Sequence, residues 1–279
     1  MRKPTVVVTG ATGFLGRAIV RCLRLSNANI IPVTRSGAMD HYRVSDYRET
    51  PHADVLIHLA EDSNRSRVNA AGKVYEDSAR NTLEVLLTKR YAHVVYASSA
   101  VLYGDTDATP HRSDDATHVV DTYTRVKHYA ETVVMANERG VVVRLANLYG
   151  VGMDEGNVLG TILEQIPGKG ALQVRDDTPI RDFLWVEDAA EGITRMALGD
   201  KTGIYNLGSG VGTSIFSLAK LALELGGQPG RQIEASNPSS RLSCLTLDIT
   251  DTVRVWGWQP TVGLQQGLQR LIDLRKISS

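Results

Sequence analysis

Thr9-Gly10-Ala11-Thr12-Gly13-Phe14-Leu15-Gly16 is a glycine-rich turn between an apolar run, Thr5–Thr9, and an amphipathic helical pattern, Phe14–Leu25. Glycines at the first two positions let a chain turn tightly and bring its backbone close to a pyrophosphate. The third lets the helix pack against the strand, and the helix N-terminus offers free N–H groups at the positive end of its dipole. Three glycines alone are often only a turn, so it is the placement after a first strand that gives the reading its weight.

Further runs, Ile30–Val33, Val55–Leu59, His93–Ala97 and Val141–Leu145, follow at intervals filled by helical patterns at Ser66–Lys89 and Asp121–Glu138. None alternates strictly with polar residues, as expected of parallel strands covered by helices on both faces. The fold class expected is therefore α/β, a doubly wound parallel sheet with a smaller mixed C-terminal lobe. Residues 1–150 form the dinucleotide-binding unit, rejoined by about 181–210, and 151–279 form mainly the substrate lobe, with helices near Asn157–Gln165, Glu187–Leu198 and Ser214–Leu225. The loop Gly104–Val119 reads as a solvated surface segment, and Trp256 and Trp258 as packing for the small lobe.

Lys plus Arg and Asp plus Glu both number 31 in the 279 residues, which excludes a global field for nucleic acid or an anionic membrane. Cys22 and Cys244 lie far apart without metal-ligand spacing, and the seven histidines are scattered, so neither a disulfide framework nor a metal is expected. The basic start Met1-Arg2-Lys3 precedes an apolar run too short for a signal sequence, and no stretch is long enough to span a bilayer. A cytoplasmic location is the expectation.

Arg35 and Ser36 stand at the end of the second strand, where an acid holds a free ribose 2′-hydroxyl and a guanidinium instead favours a 2′-phosphate. NADP is the cofactor this implies. NAD, with Asp40 taking the ribose and Arg35 a solvated charge, is the second choice. Asp46, beside Tyr47, is placed to accept from an adenine amino group or to form a turn.

Tyr123 and Lys127, four apart, share one helix face. A phenol is a poor base at neutral pH, and a nearby cation stabilises its phenolate, so Tyr123 is suited to exchange a proton with an alcohol or ketone. Ser98 and Ser99 end the fourth apolar strand, at the edge where open α/β sheets bind ligands, and Ser99 can hold the reacting oxygen.

Together the TGxxGxxG, SSxxxYG and YxxxK segments resemble the extended short-chain dehydrogenase/reductase family, in particular its NAD(P)-dependent nucleotide-sugar epimerase/dehydratase branch with a Rossmann-like fold. The resemblance covers nearly the whole chain. Asp54–Ala60 resembles the strand whose end, Leu59-Ala60, lies along the cofactor. Arg144–Gly150 resembles the RxxNxYG segment and implies that Asn147 contacts substrate. Arg181–Asp188 and Tyr205–Gly210 resemble the RDFxxVxD and YNxGSG segments. By the same resemblance Arg181 and Arg241 clamp the diphosphate of a nucleotide-linked sugar, Asn157-Val158 meet its nucleotide, and the protein pairs as a homodimer. Each arginine has a second reading as the partner of an acid such as Asp182 or Asp248; ligand is the choice for Arg181, and Arg241 stays open.

Relatives that dehydrate carry an Asp-Glu pair where this chain has Ala100 and Val101. That favours 4-keto reduction or epimerisation over dehydration or decarboxylation, and Arg35 tilts the balance toward reduction. Relatives also carry an Asn near Ser78, and sequence leaves open whether Asn81 replaces it. The competing functions are an NADPH-dependent reductase of a free ketone of steroid or flavonoid type, and a non-catalytic NADP redox sensor.

Overall fold

The computed structural model describes residues 2–37 and 39–278; Met1 of the basic start, Ala38 and Ser279 lie outside the described residues. The strands are β1 (Thr5–Thr9), β2 (Asn29–Thr34), β3 (Tyr42–Arg43), β4 (Val55–His58), β5 (His93–Ser99), β6 (Gly140–Leu145), β7 (Asn147–Tyr149), β8 (Leu172–Val174), β9 (Ile180–Trp185), β10 (Gly203–Leu207), β11 (Gly212–Ser214), β12 (Ile233–Ala235) and β13 (Cys244–Leu245). Seven of them form one parallel sheet in the order β10-β6-β5-β4-β1-β2-β3. The chain leaves β1 in one direction, toward β3, and then returns to place β4 on the other side. The order therefore reverses between β1 and β4, and the ends of these two strands open a crevice.

The helices are α1 (Phe14–Arg24), α2 (Arg65–Leu87), α3 (Thr122–Met135), α4 (Val158–Gln165), α5 (Val186–Leu198), α6 (Ile215–Leu225), α7 (Thr250–Trp256) and α8 (Leu264–Ser278). Side chains alternate across a strand, so Val6 and Val8 pack with Ile19, Leu23 and Ile193 under α1 and α5, while Val7 packs with Leu83, Leu86 and Val134 under α2 and α3. Both faces being covered explains why the strand runs carry no polar alternation. Gly72 interrupts α2 with φ 58° and ψ −136°, a conformation that glycine adopts without steric cost.

The second lobe gathers Leu159, Ile162, Leu218, Leu268 and Ile272 from α4, α6 and α8 around Phe183 and Trp185 of β9. Its main sheet places β9 between β11 and β13, with β7 also paired to β9, and β8 and β12 form a separate pair. One expectation is corrected here. Trp256 and Trp258 belong to the large core with Leu207 and Ala189, because β10 and α5 return to the central sheet and carry the packing surface with them. The Gly104–Val119 loop is mostly exposed, as a surface segment should be, but it is tied to the second lobe through the bridges Thr106↔Cys244 and His111↔Leu247, and His111 is buried.

Candidate active site

The crevice is a cavity of about 510 Å³ lined by Gly10, Thr12, Gly13, Arg35, Asp46 and Tyr47 at one side and by His58, Leu59, Ala60, Glu61, Tyr75 and Ser78 at the other. Gly10 has φ +70°, and a Cβ there would stand 2.9 Å from the Leu59 carbonyl group, so the loop and the end of β4 touch backbone to backbone. A Cβ on Gly16 would collide with the Gly10 carbonyl, which fixes α1 against the loop. Phe14, Leu15 and Gly16 form the first turn of α1, and Gly13 precedes it with no side-chain cap. The donors of that turn are thus offered to an anion, and the residues present fit a dinucleotide.

At the far end of β2, the Arg35 guanidinium lies 5.1 Å from the Tyr47 ring centroid. Beside it the hydroxyls of Thr12, Thr34 and Ser36 form a chain, with Thr34 to Ser36 at 2.9 Å and Thr12 to Ser36 at 3.4 Å. Asp46 lines the cavity, but its carboxylate caps the short helix Tyr47–Glu49 and pairs with Arg48 at 2.7 Å, bonds that hold it below the usual carboxylate range. Asp40 is exposed and does not line the cavity. Ser78 lines it, and Asn81, farther along the same helix, is exposed and does not.

Tyr123 sits in the first turn of α3, and the start of that helix is tightly fixed. Asp121 accepts from Thr124 N–H at 2.9 Å, and the Thr124 hydroxyl accepts in turn from Asp121 N–H, completing a capping box. Asn69 of α2 accepts the Tyr123 N–H at 2.9 Å and donates to Asp121, which also pairs with Arg65. One turn on, Lys127 Nζ donates to the Ala97 carbonyl at 2.8 Å and lies 5.8 Å from the Tyr123 ring centroid. Ala97 is two residues before Ser99, so the end of β5 and the Tyr–Lys face of α3 meet directly.

Ser99 accepts from Val101 N–H at 3.3 Å and lines a small cavity of about 40 Å³ with Ala100, Asn147 and Asp182. Asn147 donates to the Asp182 carbonyl at 3.2 Å. Ser98, by contrast, is buried and donates to Glu131 at 2.5 Å, and Glu131 is held by the Arg144 guanidinium at 2.7 Å. This places Ser98 in the framework behind the site.

Arg181 and Arg241 converge, and the acid between them is Asp105, in place of the Asp182 or Asp248 that sequence offered. Arg241 donates to both Asp105 oxygens at 2.9 Å, Arg181 approaches at 3.5 Å, and Ser243 donates at 2.5 Å. Asp182, on β9, is buried instead, accepting from Ser209 N–H and Oγ and from Gly210 and Leu247 N–H. Asn157 caps α4 through Gly160 N–H at 2.9 Å, and Val158 beside it is partly exposed.

Sequence reasoning missed Glu61. Its carboxylate is buried, 2.8 Å from Lys127 Nζ, and accepts from the Tyr96 hydroxyl at 2.8 Å. Burial pushes this carboxyl up, but the Lys127 ammonium prevails and holds it below its ordinary value. Burial drives the neighbouring His58 down to about 4, so its ring is neutral and shares a hydrogen bond with Thr9 Oγ1 at 2.8 Å. The available signal was an acid directly after the apolar strand end Leu56-Ile57-His58-Leu59-Ala60. Among the described residues no cluster of three or more His, Cys, Asp or Glu could hold a metal, and no helix is long and apolar enough to cross a membrane.

The parallel sheet opens this cleft at its switch point, and the family model and relatives give the class: the chain is an NAD(P)-dependent enzyme of the short-chain dehydrogenase/reductase type. Within that class it belongs to the NAD dependent epimerase/dehydratase family, matched over residues 6–208. It is 29% identical to UDP-glucuronic acid decarboxylase 4 of Arabidopsis thaliana, over 97% of this chain and 68% of that one. The same fold is seen in UDP-glucose 4-epimerase of Thermotoga maritima with UDP-glucose, at a TM-score of 0.85 and 22% identity over 99% of this chain and 100% of that one. It is seen also in RMD from Pseudomonas aeruginosa complexed with NADPH, at a TM-score of 0.85 and 21% identity over 99% and 100% of the two chains.

Proposed function

We propose that this enzyme uses NADP to reduce or epimerise a nucleotide-diphosphate sugar, with reduction of a 4-keto sugar the favoured reaction. The observation that carries the substrate class is the convergence of Arg181 and Arg241 on Asp105, one residue beyond the Gly104 that closes the turn after Ser99. Two guanidiniums sharing one carboxylate leave a net positive charge in an otherwise neutral protein, matched to a diphosphate. A free ketone has no use for that pair.

A bound nicotinamide supplies or removes the hydride. Tyr123 Oη gives its proton to the carbonyl oxygen on reduction, or takes one from the hydroxyl on oxidation. Ser99 Oγ holds the same oxygen, and the Lys127 ammonium stabilises the phenolate that forms. Ala100 and Val101, after Ser99, provide no carboxylate for an elimination. The family relation includes a decarboxylase, so the preference over decarboxylation rests on those two residues. Arg35 and the hydroxyls of Thr12, Thr34 and Ser36 support NADP over NAD by offering a cation and donors at the end of β2. The chain is proposed to act as a homodimer through α2 and α3, in the reducing cytoplasm that free Cys22 and Cys244 fit.

The test is calorimetric titration with NADPH and NADH, followed by UDP, dTDP, GDP and CDP on the cofactor-loaded protein. Tight NADPH binding with one preferred diphosphate supports the reading. Cofactor binding without any nucleotide response replaces it with a free-ketone reductase or a redox sensor.

A further inference from the structure

We propose that Glu61 is a positioning residue for catalysis, whose carboxylate both fixes Lys127 in the cleft and keeps it an ammonium. The geometry leaves this task to no other group. Lys127 Nζ has two close partners, the Ala97 carbonyl and Glu61 Oε2, each at 2.8 Å. The carbonyl accepts equally well from an amine, so only Glu61 supplies a compensating charge. Both side chains are almost fully enclosed, at 9% and 7% exposure, where solvent gives little help to a lone cation.

The groups facing the pair come from four elements. From β4, His58 Nε2 lies 3.9 Å from Glu61 Oε1 and is neutral. From β5, the Tyr96 hydroxyl donates to Glu61 Oε2, and the Lys127 ammonium also lies 5.0 Å from the Tyr96 ring centroid. From α2 comes Tyr75, a phenol raised by burial, and from α3 comes Tyr123. Farther along α3, Glu131 is already neutralised by Arg144. Lys127 is therefore the one ammonium or guanidinium among these neighbours that Glu61 serves. Burial pulls the Lys127 ammonium toward losing its proton; the charge and hydrogen bond of Glu61, with smaller contributions from Tyr123 and Tyr75, more than offset this.

The catalytic consequence rests on the reading of Tyr123 and Lys127 as the acid/base pair, but the ionisation itself does not. The test is carbon-13 NMR of lysine Cε in the full-length, ligand-free protein, with the Lys127 resonance identified by its loss in Lys127→Met. The wild-type ammonium should persist beyond the ordinary lysine range, and its titration midpoint should fall by about two units in Glu61→Gln. Glu61→Asp should restore most of the loss. A fall smaller than about one unit in Glu61→Gln overturns the proposal. If that variant does not fold, the Glu61 carboxyl carbon of the wild type decides: an ionised carboxylate at neutral pH upholds the pair, and a protonated one removes it. In turnover, Glu61→Gln should add an alkaline loss of kcat at the pH where its Lys127 deprotonates; a profile unchanged on that side, with the NMR shift present, assigns the failure to the role of Lys127 and not to Glu61.

Discussion

Replacing Arg35 probes the cofactor assignment at the residue on which it depends. Arg35 is exposed at the end of β2, stacked on Tyr47, and among the described residues no carboxylate forms an ion pair with it. Its guanidinium is thus available to a 2′-phosphate. A hydrogen bond to a charged group contributes about 1.5–3 kcal/mol net, and exposure places this one at the low end. Arg35→Ala should therefore weaken NADPH by about tenfold and leave NADH nearly unchanged. In Arg35→Asp, a carboxylate facing the doubly charged phosphate at about 4 Å adds roughly 2 kcal/mol of repulsion even in a water-like dielectric. The combined loss, about 3.5 kcal/mol, corresponds to a change of about 300-fold in the preference for NADPH over NADH. Fluorescence titration of both cofactors measures it, and it should weaken as salt is raised. A preference ratio within about threefold of wild type in Arg35→Asp would refute the reasoning and return Arg35 to the status of a solvated charge.

Three further outcomes are expected. Tyr123→Phe should keep cofactor affinity and lose about 10²- to 10⁴-fold in turnover; near-normal turnover takes the acid/base role from Tyr123. Arg144→Met strands the Glu131 carboxylate, which is buried and keeps a hydrogen bond from Ser98, so urea unfolding should show a loss of about 3–5 kcal/mol, and Glu131→Leu in the same chain should recover most of it. Burial raises the Asp121 carboxyl, but hydrogen bonds from Thr124 and Asn69 and the Arg65 ion pair bring it down to about 2. A depressed carboxylate stabilises the fold above its ordinary value near 4 and loses that contribution as pH falls through about 2. Asp121→Ala should flatten the acid limb of stability over this window and cost about 1 kcal/mol at neutral pH; an unchanged acid limb counts against the cap.

Sequence alone determined what is local in the chain. The turn Gly10–Gly16, the buried strand runs and the four-residue spacing of Tyr123 and Lys127 each depend on a few adjacent residues, and each has a fixed geometric consequence. Tertiary structure decided what depends on residues far apart. The seventh strand, β3, is two residues long and carries no hydrophobic pattern of its own. Asp105 reaches Arg241 across a span of 136 residues, and Asn69 reaches Tyr123 across 54. Glu61 carries no local mark of its surroundings and is a buried counter-ion only because α3 brings Lys127 against β4 and β5. A charge's role is set by who shares its low-dielectric space, and that company is assembled by the fold.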